Sequence, residues 1–512
     1  MEKIMEISIQ DNILNVCSNI TTNEILKNMI NLDKDGFLKR HNDEVEQLKK
    51  TRFKDKNNIT ECIFFVIGNK YYTPGTKAND YIKILKNEFF NQGEEYIDYF
   101  EDQYLKNLEY HFNVRRVYGM DYSLEGHKDL ESYINNVYSL LIKKYNPNIV
   151  GEYVPQKITD IKERDSHFHK ICKVDNKIEI YEKIGIIYSS ENYITKSVLI
   201  RYSFDFENNF FELAYNDKTL KDVCNPSNDR KKIILESKDK TKKITDKFFN
   251  EGIASVTLYS RIKELVEPKL KLHSLGEQLA AITLNDADGD RSGGSEGKKL
   301  QVLNTETEAY TKSPFELAMY KIFKEDRDNL ISKILGEDEE KDTSDIEVFI
   351  KDKFKDFDND SISMSVKFLK HMKAFSILKK KAMIVRDLDN FIFSFTVRDW
   401  AVTKSTTRNQ ERLPVYTSDF YWHLQEVVDG IKLINELGLH ISTLVSTGEK
   451  SFQEVKITLS NDHLIFVYYQ NKKRTNTNNG AKNTLTVSEA RRTVNDYVKN
   501  KFRSIISEKS EP

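Results

Sequence analysis

Apolar residues recur every four positions over much of the region from residue 77 to residue 145, as at Tyr96, Phe100 and Leu108. That spacing places them on one face of a helix, so the sequence predicts amphipathic helices throughout this region. An earlier, almost continuous apolar run, residues 60–67, has the length and composition of a buried strand. The first part of the chain is therefore expected to be mostly helical with one strand.

The pattern changes after residue 147. Segments such as NKIEIYEKIGIIYS, YITKSVLIRYSFDF and NNFFELAYND are rich in β-branched and aromatic residues and are separated by short polar turns. Such segments are typical of strands joined by hairpins. Residues 148–237 are therefore predicted to form antiparallel strands, and helical spacing returns between Ser255 and Val266, just before Pro268.

Two long helices are predicted after the middle of the chain. The first covers residues 314–335. The second covers residues 361–381, where Met364, Phe368 and Phe375 repeat along one side. The lysines between these apolar residues are expected on the exposed surface of that helix.

The end of the chain mixes both patterns. FIFSFTVRDWAV predicts a strand, and Ser418 is expected to cap a helix that runs to Leu437 and ends at Gly438. SFQEVKITLSNDHLIFVYYQ predicts a β-hairpin with its turn at Asn461 and Asp462. A basic, Asn-rich loop and a final amphipathic helix follow, so this part is expected to be mainly helical with one hairpin.

Together these patterns predict an α+β protein of several domains. The expected divisions are a mostly helical, mixed α/β domain at residues 1–146, a β-rich domain at 147–270, an acidic and Gly-rich central loop at 271–312, and a basic helical domain with the hairpin at 313–512. A chain of 512 residues is long enough for two or three hydrophobic cores.

Composition restricts the class of protein. Apolar residues make up 39% of the chain and charged residues 31%, as in soluble proteins with strongly charged surfaces. No apolar run reaches the ~18 residues of a membrane-spanning helix, no secretory signal is recognised, and the four cysteines form no CxxC pair. A cytoplasmic protein without disulfides is expected. The abundance of Lys, Asn, Ile, Tyr and Phe indicates an AT-rich bacterial, phage or parasite genome.

Positive and negative residues are unevenly distributed along the chain. The net charge of the whole chain is −1, with −10 in residues 1–360 and +9 in residues 361–512. A basic C-terminal region joined to an acidic remainder indicates either a polyanionic partner or packing of the two parts on each other.

Basic residues of the C-terminal third are the candidates for contact with nucleic acid. Some lie near aromatic residues, such as Phe466, Tyr468 and Tyr469 beside the basic loop. Lysine and arginine neutralise phosphates, and aromatic rings stack on bases. The candidate residues are Lys367, Lys370, Lys373, Lys380, Lys381, Arg398, Lys404, Arg408, Lys472, Lys473 and Arg474.

The central loop holds a candidate metal site. Asp286, Asp288 and Asp290 alternate along DADGDR, and three carboxylates on one loop can converge on a hard cation such as Mg²⁺. The stretch resembles the metal loop of the phosphohexomutases and is similar to the Asp-x-Asp-Gly-Asp of double-barrel RNA polymerases. These resemblances imply Mg²⁺-dependent phosphoryl or nucleotidyl transfer. The companion motifs of either family are not found elsewhere in the sequence.

A second metal triad is a candidate at Asp165-Ser-His167-Phe-His169. Alternate residues of a strand share a face, so one carboxylate and two imidazoles could bind one metal ion there. The competing interpretation is an exposed polar turn.

A third constellation is Glu236-Ser-Lys238, which ends an apolar run, with Asp217 upstream. It resembles the metal site of the restriction-nuclease-like family, in which two carboxylates hold Mg²⁺ and a lysine steadies the attacking water. The resemblance implies a nuclease.

The charge pattern favours one function over these alternatives. We expect a nucleic-acid-associated protein that is not an enzyme and is a subunit of a bacterial or phage assembly, with DNA and RNA both open as partners. The alternatives are an Mg²⁺-dependent transferase at the Asp loop, a nuclease at Glu236 and Lys238, and a scaffold whose acidic and basic parts bind other proteins. No catalytic residue is assigned, because GxSxG, HExxH and P-loop motifs are not found in the sequence.

Overall fold

The computed structural model describes residues 23–51, 59–71, 83–145, 168–189, 194–224, 232–233, 251–267, 269–273, 275, 314–335, 339–356, 358–380, 388–398, 404–408, 412–446, 448, 450–460, 463–469 and 484–507. In this part of the chain the fold is α+β, as the sequence predicts, with helices packed on an antiparallel sheet. None of the described helices is both long enough and apolar enough to cross a membrane.

A group of helices precedes the first strand. Its described members are α1 (Asn23–Leu32), α2 (Lys34–Arg40), α3 (Asn42–Thr51), α4 (Ile59–Tyr71) and α5 (Glu94–His111), with a π-helical turn at Leu85–Phe90. Their apolar faces share one hydrophobic cluster, in which the rings of Phe37, Phe89 and Tyr96 pack with centroids 5.0 to 6.0 Å apart. Tyr96, Phe100 and Leu108 are all buried, so the four-residue spacing predicted α5 correctly.

The predicted strand at residues 60–67 is wrong, because this run lies inside α4. Its buried apolar residues are Cys62, Ile63, Val66 and Ile67, which recur at the spacing of a helix face and not at every second position. Helices α1, α2 and α3 all contact α4. An unbroken apolar run is therefore compatible with a helix that several neighbouring helices cover.

The described strands form one sheet. They are β1 (Val114–Asp121), β2 (Phe168–Val174), β3 (Lys177–Ser189), β4 (Ile194–Asp205), β5 (Phe210–Tyr215), β6 (Lys232–Ile233), β7 (Lys271–His273), β8 (Phe391–Arg398), β9 (Lys404–Arg408), β10 (Ile434–Leu444), β11 (Lys450–Leu459) and β12 (Leu464–Tyr468). Their order is β2-β3-β4-β5-β1-β12-β11-β10-β8-β9, with β6 paired to β3 and β7 to β1. All four predicted segments of the chain thus contribute strands, and the domain boundaries stay a prediction.

The remaining described helices follow the first strand. They are α6 (Leu130–Tyr145), α7 (Asp217–Cys224), α8 (Glu251–Val266), α9 (Pro314–Leu335), α10 (Glu339–Lys353), α11 (Asn359–Lys380), α12 (Asp419–His423), α13 (Gln425–Ile431) and α14 (Thr484–Ser507), with a 3-10 turn at Val415–Thr417. The predicted hairpin is confirmed as β11 and β12, since Leu459 pairs with Leu464. Its turn residues Asn461 and Asp462 lie outside the described residues.

The helix predicted at residues 418–437 is also wrong in part. It consists of the short helices α12 and α13, and it ends where Lys432 adopts a left-handed φ of 55°. Gly438 lies inside β10, opposite Ser394 of β8. A Cβ at this glycine would come within 2.2 Å of Ser394 Oγ, so the close approach of the two strands requires glycine here.

The sheet has two faces that are covered differently. The face that we call inner carries Val117, Val455 and Phe466, which pack with α9, α11, α12 and α14 in one hydrophobic cluster. Toward β3 and β4 the same face carries Tyr181 and Ala214, which pack against the helices that precede β1. Helices therefore cover the inner face in both directions along the sheet from β1, toward β12 and toward β5.

The opposite, outer face is covered over only part of its width. Tyr118, Phe211 and Leu213 pack there with apolar residues of α6 and α8. This cluster extends as far as β12, where Ile465 is a partly buried member. This cluster has no described member on β8, β10 or β11.

Charged side chains are buried where α5 meets the inner face. Arg115 of β1 lies 2.6 Å from Glu109 of α5 and 3.5 Å from Glu212 of β5, and all three are fully buried. Arg201 of β4 pairs with both carboxylates and, at 3.1 Å, with Glu179 of β3. We call these residues and their partners on α14 the buried ion network.

The C-terminal helix completes the buried ion network. Lys499 of α14 pairs with Glu212, and Arg492 lies 3.6 Å from Glu109. Burial by itself would raise the pKa of Glu212, but Lys499 and the two arginines of the sheet outweigh it and hold that pKa well below its usual range. Acidic residues of the first part of the chain therefore neutralise cations of its last helix.

We expect Glu212→Gln to lower the free energy of unfolding by roughly 3–5 kcal/mol, because it leaves Lys499 and two buried arginines without enough negative charge. Urea unfolding followed by circular dichroism measures the change. The matched control is Glu325→Gln, which removes an exposed pair with Lys501 and should cost about 1 kcal/mol or less. Equal losses in the two variants would contradict the importance of the network.

Candidate nucleic-acid interface

Most residues of the candidate metal and nuclease sites lie outside the described residues. They are Asp165, His167, Glu236, Lys238, Asp286, Asp288 and Asp290. Of their companions, His169 lies in β2 and Asp217 begins α7. Within the described ranges, no three His, Cys, Asp or Glu side chains form a group that could hold a metal ion. The Mg²⁺ loop and the nuclease site stay predictions.

The lysines of α11 are engaged by the protein itself. Lys367 forms an ion pair with Asp429 of α13, which also accepts a hydrogen bond of 2.9 Å from Arg327 of α9. Lys370 and Lys373 have partners as well. These three predicted contacts therefore do not form a basic surface without counterions.

The apolar stripe predicted on α11 is partly wrong. Phe375 is buried, but Met364 and Phe368 are 60% and 39% exposed. The first half of the helix instead buries Ile362 and Val366, because α10 packs against it through these residues. The packing of α10, and not the apolar pattern of α11 itself, determines which face of α11 is buried.

Three of the predicted cations come together at one edge of the sheet. β9 is the last strand in the sheet order, and its register with β8 places Lys404 opposite Arg398 and Arg408 opposite Ser394. We call β8 and β9 the edge ribbon. Of the other predicted contacts, Lys380 is the last residue of α11, and Lys381, Lys472, Lys473 and Arg474 lie outside the described residues.

Next to the edge ribbon lies the outer side of β10, β11 and β12, beyond the cluster that α6 and α8 form with the sheet. We call it the open face; its residues are Glu436, His440, Phe452, Glu454, Lys456, Thr458, Val467 and Tyr469. Helices α9 and α14 contact β10 and β11 from the inner side, where Val455 and Ile457 are fully buried. Lys456 and Thr458, which alternate with them, are only half-buried. Because neighbours along a strand point to opposite sides, this alternation identifies the open face.

Aromatic rings form a column across the open face. Phe391 of β8 stacks on His440 with centroids 4.3 Å apart and planes at 7°, and His440 lies 4.8 Å from Phe452. The register places Phe391 directly opposite His440, whereas Phe452 is paired with Ser442 and lies diagonally across from His440. Phe391 and His440 are buried, whereas Phe452 is half-buried. Phe452 is therefore the most exposed ring of the three.

Arg412 is held over the same face. Its φ of 55° is left-handed, which is uncommon for arginine and is typical of functional positions. Its Nε lies 2.8 Å from Glu454 Oε2, and its guanidinium carbon lies 4.8 Å from the ring centroid of Tyr469. This pairing fixes the guanidinium plane through Nε and leaves its amino groups as donors for a further contact.

The sequence prediction singled out Tyr469 and missed the other members of the open face. His440 escapes notice because its segment is predicted to follow a helix end at Gly438. A usable signal is present in KSFQEVKITL, where Phe452, Glu454 and Lys456 occupy every second position and indicate a polar, aromatic strand face.

A second polar arrangement lies under α9. Asp326 accepts a hydrogen bond from the Tyr416 hydroxyl, which accepts one of 2.9 Å from the backbone N–H of Ile392. Burial, with a smaller contribution from Glu325, raises the pKa of Asp326 to about 8. This carboxyl group is therefore protonated over most of the pH range below neutrality.

A third arrangement borders a cleft of about 510 Å³ that includes His41, Asn69 and Lys70 in its wall. Glu88, in the π-helical turn, lies 3.2 Å from His41 Nε2 and accepts hydrogen bonds of 2.7 Å from Lys70 and Tyr71. The hydrogen bond with His41, together with those from Lys70 and Tyr71, lowers the pKa of Glu88 to about 2 against the effect of burial. The carboxylate is a stable ion that joins α2, α4 and the π-helical turn.

Comparison with known protein families, with curated proteins and with solved structures gives no match to this chain. The assignment of a function therefore depends on the geometry of the site.

The raised pKa of Asp326 predicts a pH-dependent contribution to stability. The folded protein keeps a proton that the unfolded chain loses near the ordinary value of 3.8, so this contribution is complete below that pH and is lost as the pH rises through about 8. We expect Asp326→Asn to gain stability relative to the wild type between about pH 4 and about pH 9, by roughly 1 kcal/mol or more. Urea unfolding at the two pH values measures the gain.

The control for this experiment is Asp352→Asn, which changes an exposed aspartate of α10. Its effect should be nearly independent of pH. A constant difference between Asp326→Asn and the wild type across the pH range would contradict the protonated state of Asp326.

Proposed function

We propose that this protein associates with nucleic acid through the edge ribbon and the adjoining open face, as a non-enzymatic subunit of a larger bacterial or phage assembly. The observation that carries the proposal is the position of Arg398, Lys404 and Arg408 on one two-stranded element at the rim of the sheet. Lysines and arginines at such an edge can neutralise phosphates regardless of base sequence.

The distribution of counterions supports this location. Lys499 of α14 is paired with Glu212, and Lys367 of α11 with Asp429. The two strands of the edge ribbon, FIFSFTVR and KSTTR, contain basic residues and no aspartate or glutamate. Positive charge on an edge strand also discourages pairing with the sheet of another molecule, and this role is compatible with phosphate binding.

Exposed apolar residues support the second part of the proposal, membership of an assembly. Val348 and Phe349 of α10 and Met364 of α11 are exposed, although these two helices pack on each other through Ile350 and Ile362. Several large exposed apolar residues on neighbouring helices are typical of surfaces that contact other proteins.

We expect replacement of Arg398, Lys404 and Arg408 by alanine to weaken binding of both DNA and RNA. Each lost phosphate contact removes about one unit from the slope of log K against log salt concentration, so the slope should fall in magnitude by up to about 3. Fluorescence anisotropy of labelled oligonucleotides over a range of salt concentrations measures the affinity and the slope.

The matched control removes the same charge from the N-terminal helical region by replacing Lys39, Lys50 and Lys83, which are exposed, with alanine. It should leave the salt slope nearly unchanged. The proposal is wrong if the wild-type protein binds no nucleic acid at low salt, or if the two triple variants weaken binding equally.

A further inference from the structure

We infer that the exposed first half of α11 packs against the same half of α11 in a second copy of this chain, so that two copies form a symmetric dimer. This inference rests on the assembly part of the proposed function and names one partner in that assembly. It does not depend on the binding of nucleic acid.

One row of side chains along α11 is buried at one end of the helix and exposed at the other. His371, Phe375 and Leu378 are buried. The row continues toward the start of the helix with Phe368 and Met364, which are 39% and 60% exposed. Steps of three and four residues keep the row on one side of α11, at the spacing by which two helices pack on each other. The row therefore enters the core at one end and faces solvent at the other.

Helix α10 packs on a different side of α11. Its Ile350 shares a small apolar cluster with Ile362 and Val366 of α11. Met364 lies two residues from each of these α11 residues, and two residues turn a helix by about 200°. Met364 therefore points away from α10, in agreement with its exposure. A further helix can pack along the row without displacing α10.

The distribution of charge on α11 suits a second copy as the partner. In a two-fold contact each side chain near the axis meets its own counterpart, so like charges there would repel. The side of α11 that carries the exposed row is uncharged and consists of Ser361, Met364, Ser365, Phe368, Leu369 and Met372. Two charged residues border it, Asp360 and Lys367, and they are opposite in sign. Lys367 is moreover paired with Asp429 of its own chain. Two copies can therefore meet without like charges at the centre of the contact.

The exposed apolar area is sufficient for a small dimer interface. Leu369 of α11 and Phe349 of the adjacent α10 are also exposed, by 37% and 54%. At about 200 Å² for a large side chain, these two residues with Met364 and Phe368 expose on the order of 400 Å². Two copies supply about 800 Å², and the polar residues around them bring the total to roughly 1,200 Å², the lower end for specific interfaces. The expected dimer is therefore reversible and depends on protein concentration.

Sedimentation velocity of the full-length protein, whose monomer has a mass of 60.0 kDa, measures the association. We expect the wild type to shift toward twice this mass as its concentration rises. Met364→Glu and Met364→Lys each place like charges at the two-fold contact and should weaken the dimer at least about tenfold. An equimolar mixture of the two variants should dimerise again, because opposite charges then face each other. Restoration by mixing identifies the contact as one between two copies of α11.

Phe420→Glu is the matched control. Phe420 of α12 is 53% exposed, so this variant adds the same charge at an exposed apolar residue outside α11 and should dimerise like the wild type. Hydrogen exchange gives a second measurement that needs no variant. The backbone amides of residues 361–369 should exchange more slowly at the protein concentrations at which the dimer forms.

The outcomes separate this inference from the proposed function. The dimer is wrong if the wild type stays monomeric up to about 100 µM, if neither charged variant weakens association, or if mixing the two restores nothing. Fluorescence anisotropy with the same protein tests nucleic-acid binding separately. A monomer that binds oligonucleotides through the edge ribbon contradicts the dimer alone. A dimer that binds no oligonucleotide at low salt contradicts association with nucleic acid and leaves the dimer in place.

Discussion

Taking Glu109, Glu212, Arg115 and Arg201 out of water costs several kcal/mol for each ion, and only their mutual contacts offset that cost. That cost is offset only when α14 packs against the sheet, because α14 supplies Lys499 and further polar contacts. Arg491 of α14 donates hydrogen bonds to backbone carbonyls at the end of α5. Folding of the middle of the sheet is therefore coupled to the arrival of the last helix, and segments hundreds of residues apart in sequence form one core.

The same network changes the meaning of the charge asymmetry along the chain. An excess of −10 in the first 360 residues and +9 in the remainder indicates a polyanionic partner only if the positive residues face solvent. Lys499 does not, because it is buried and paired with Glu212, and Arg492, which is partly exposed, is paired with Glu109. Among the candidate cations, the strand register groups Arg398, Lys404 and Arg408 on β8 and β9. Their position on one edge of the sheet is therefore more informative than the total charge of the region.

Local spacing predicted much of the fold, including α5, α8, α9, the strands β3 to β5 and the hairpin of β11 and β12. It failed where the partner of a residue is distant in sequence. The central strand β1 has the sequence VRRVYGMD, and its arginines resemble solvent-facing residues until Glu109, Glu212 and His463 are placed around them. The sequence identified the basic residues of β8 and β9 as candidates. Their position on neighbouring strands follows only from the strand register. His440 was missed because Gly438 fits a helix end and a close strand contact equally well.

The open face combines stacked rings with paired charges. Phe391 and His440 are buried and stack on each other, and Phe452 beside them is only partly buried. The charged pairs on either side, Glu436 with Lys456 and Glu454 with Arg412, add no net charge of their own. The strands of the edge ribbon differ in composition, because they carry Arg398, Lys404 and Arg408 and contain no acidic residue.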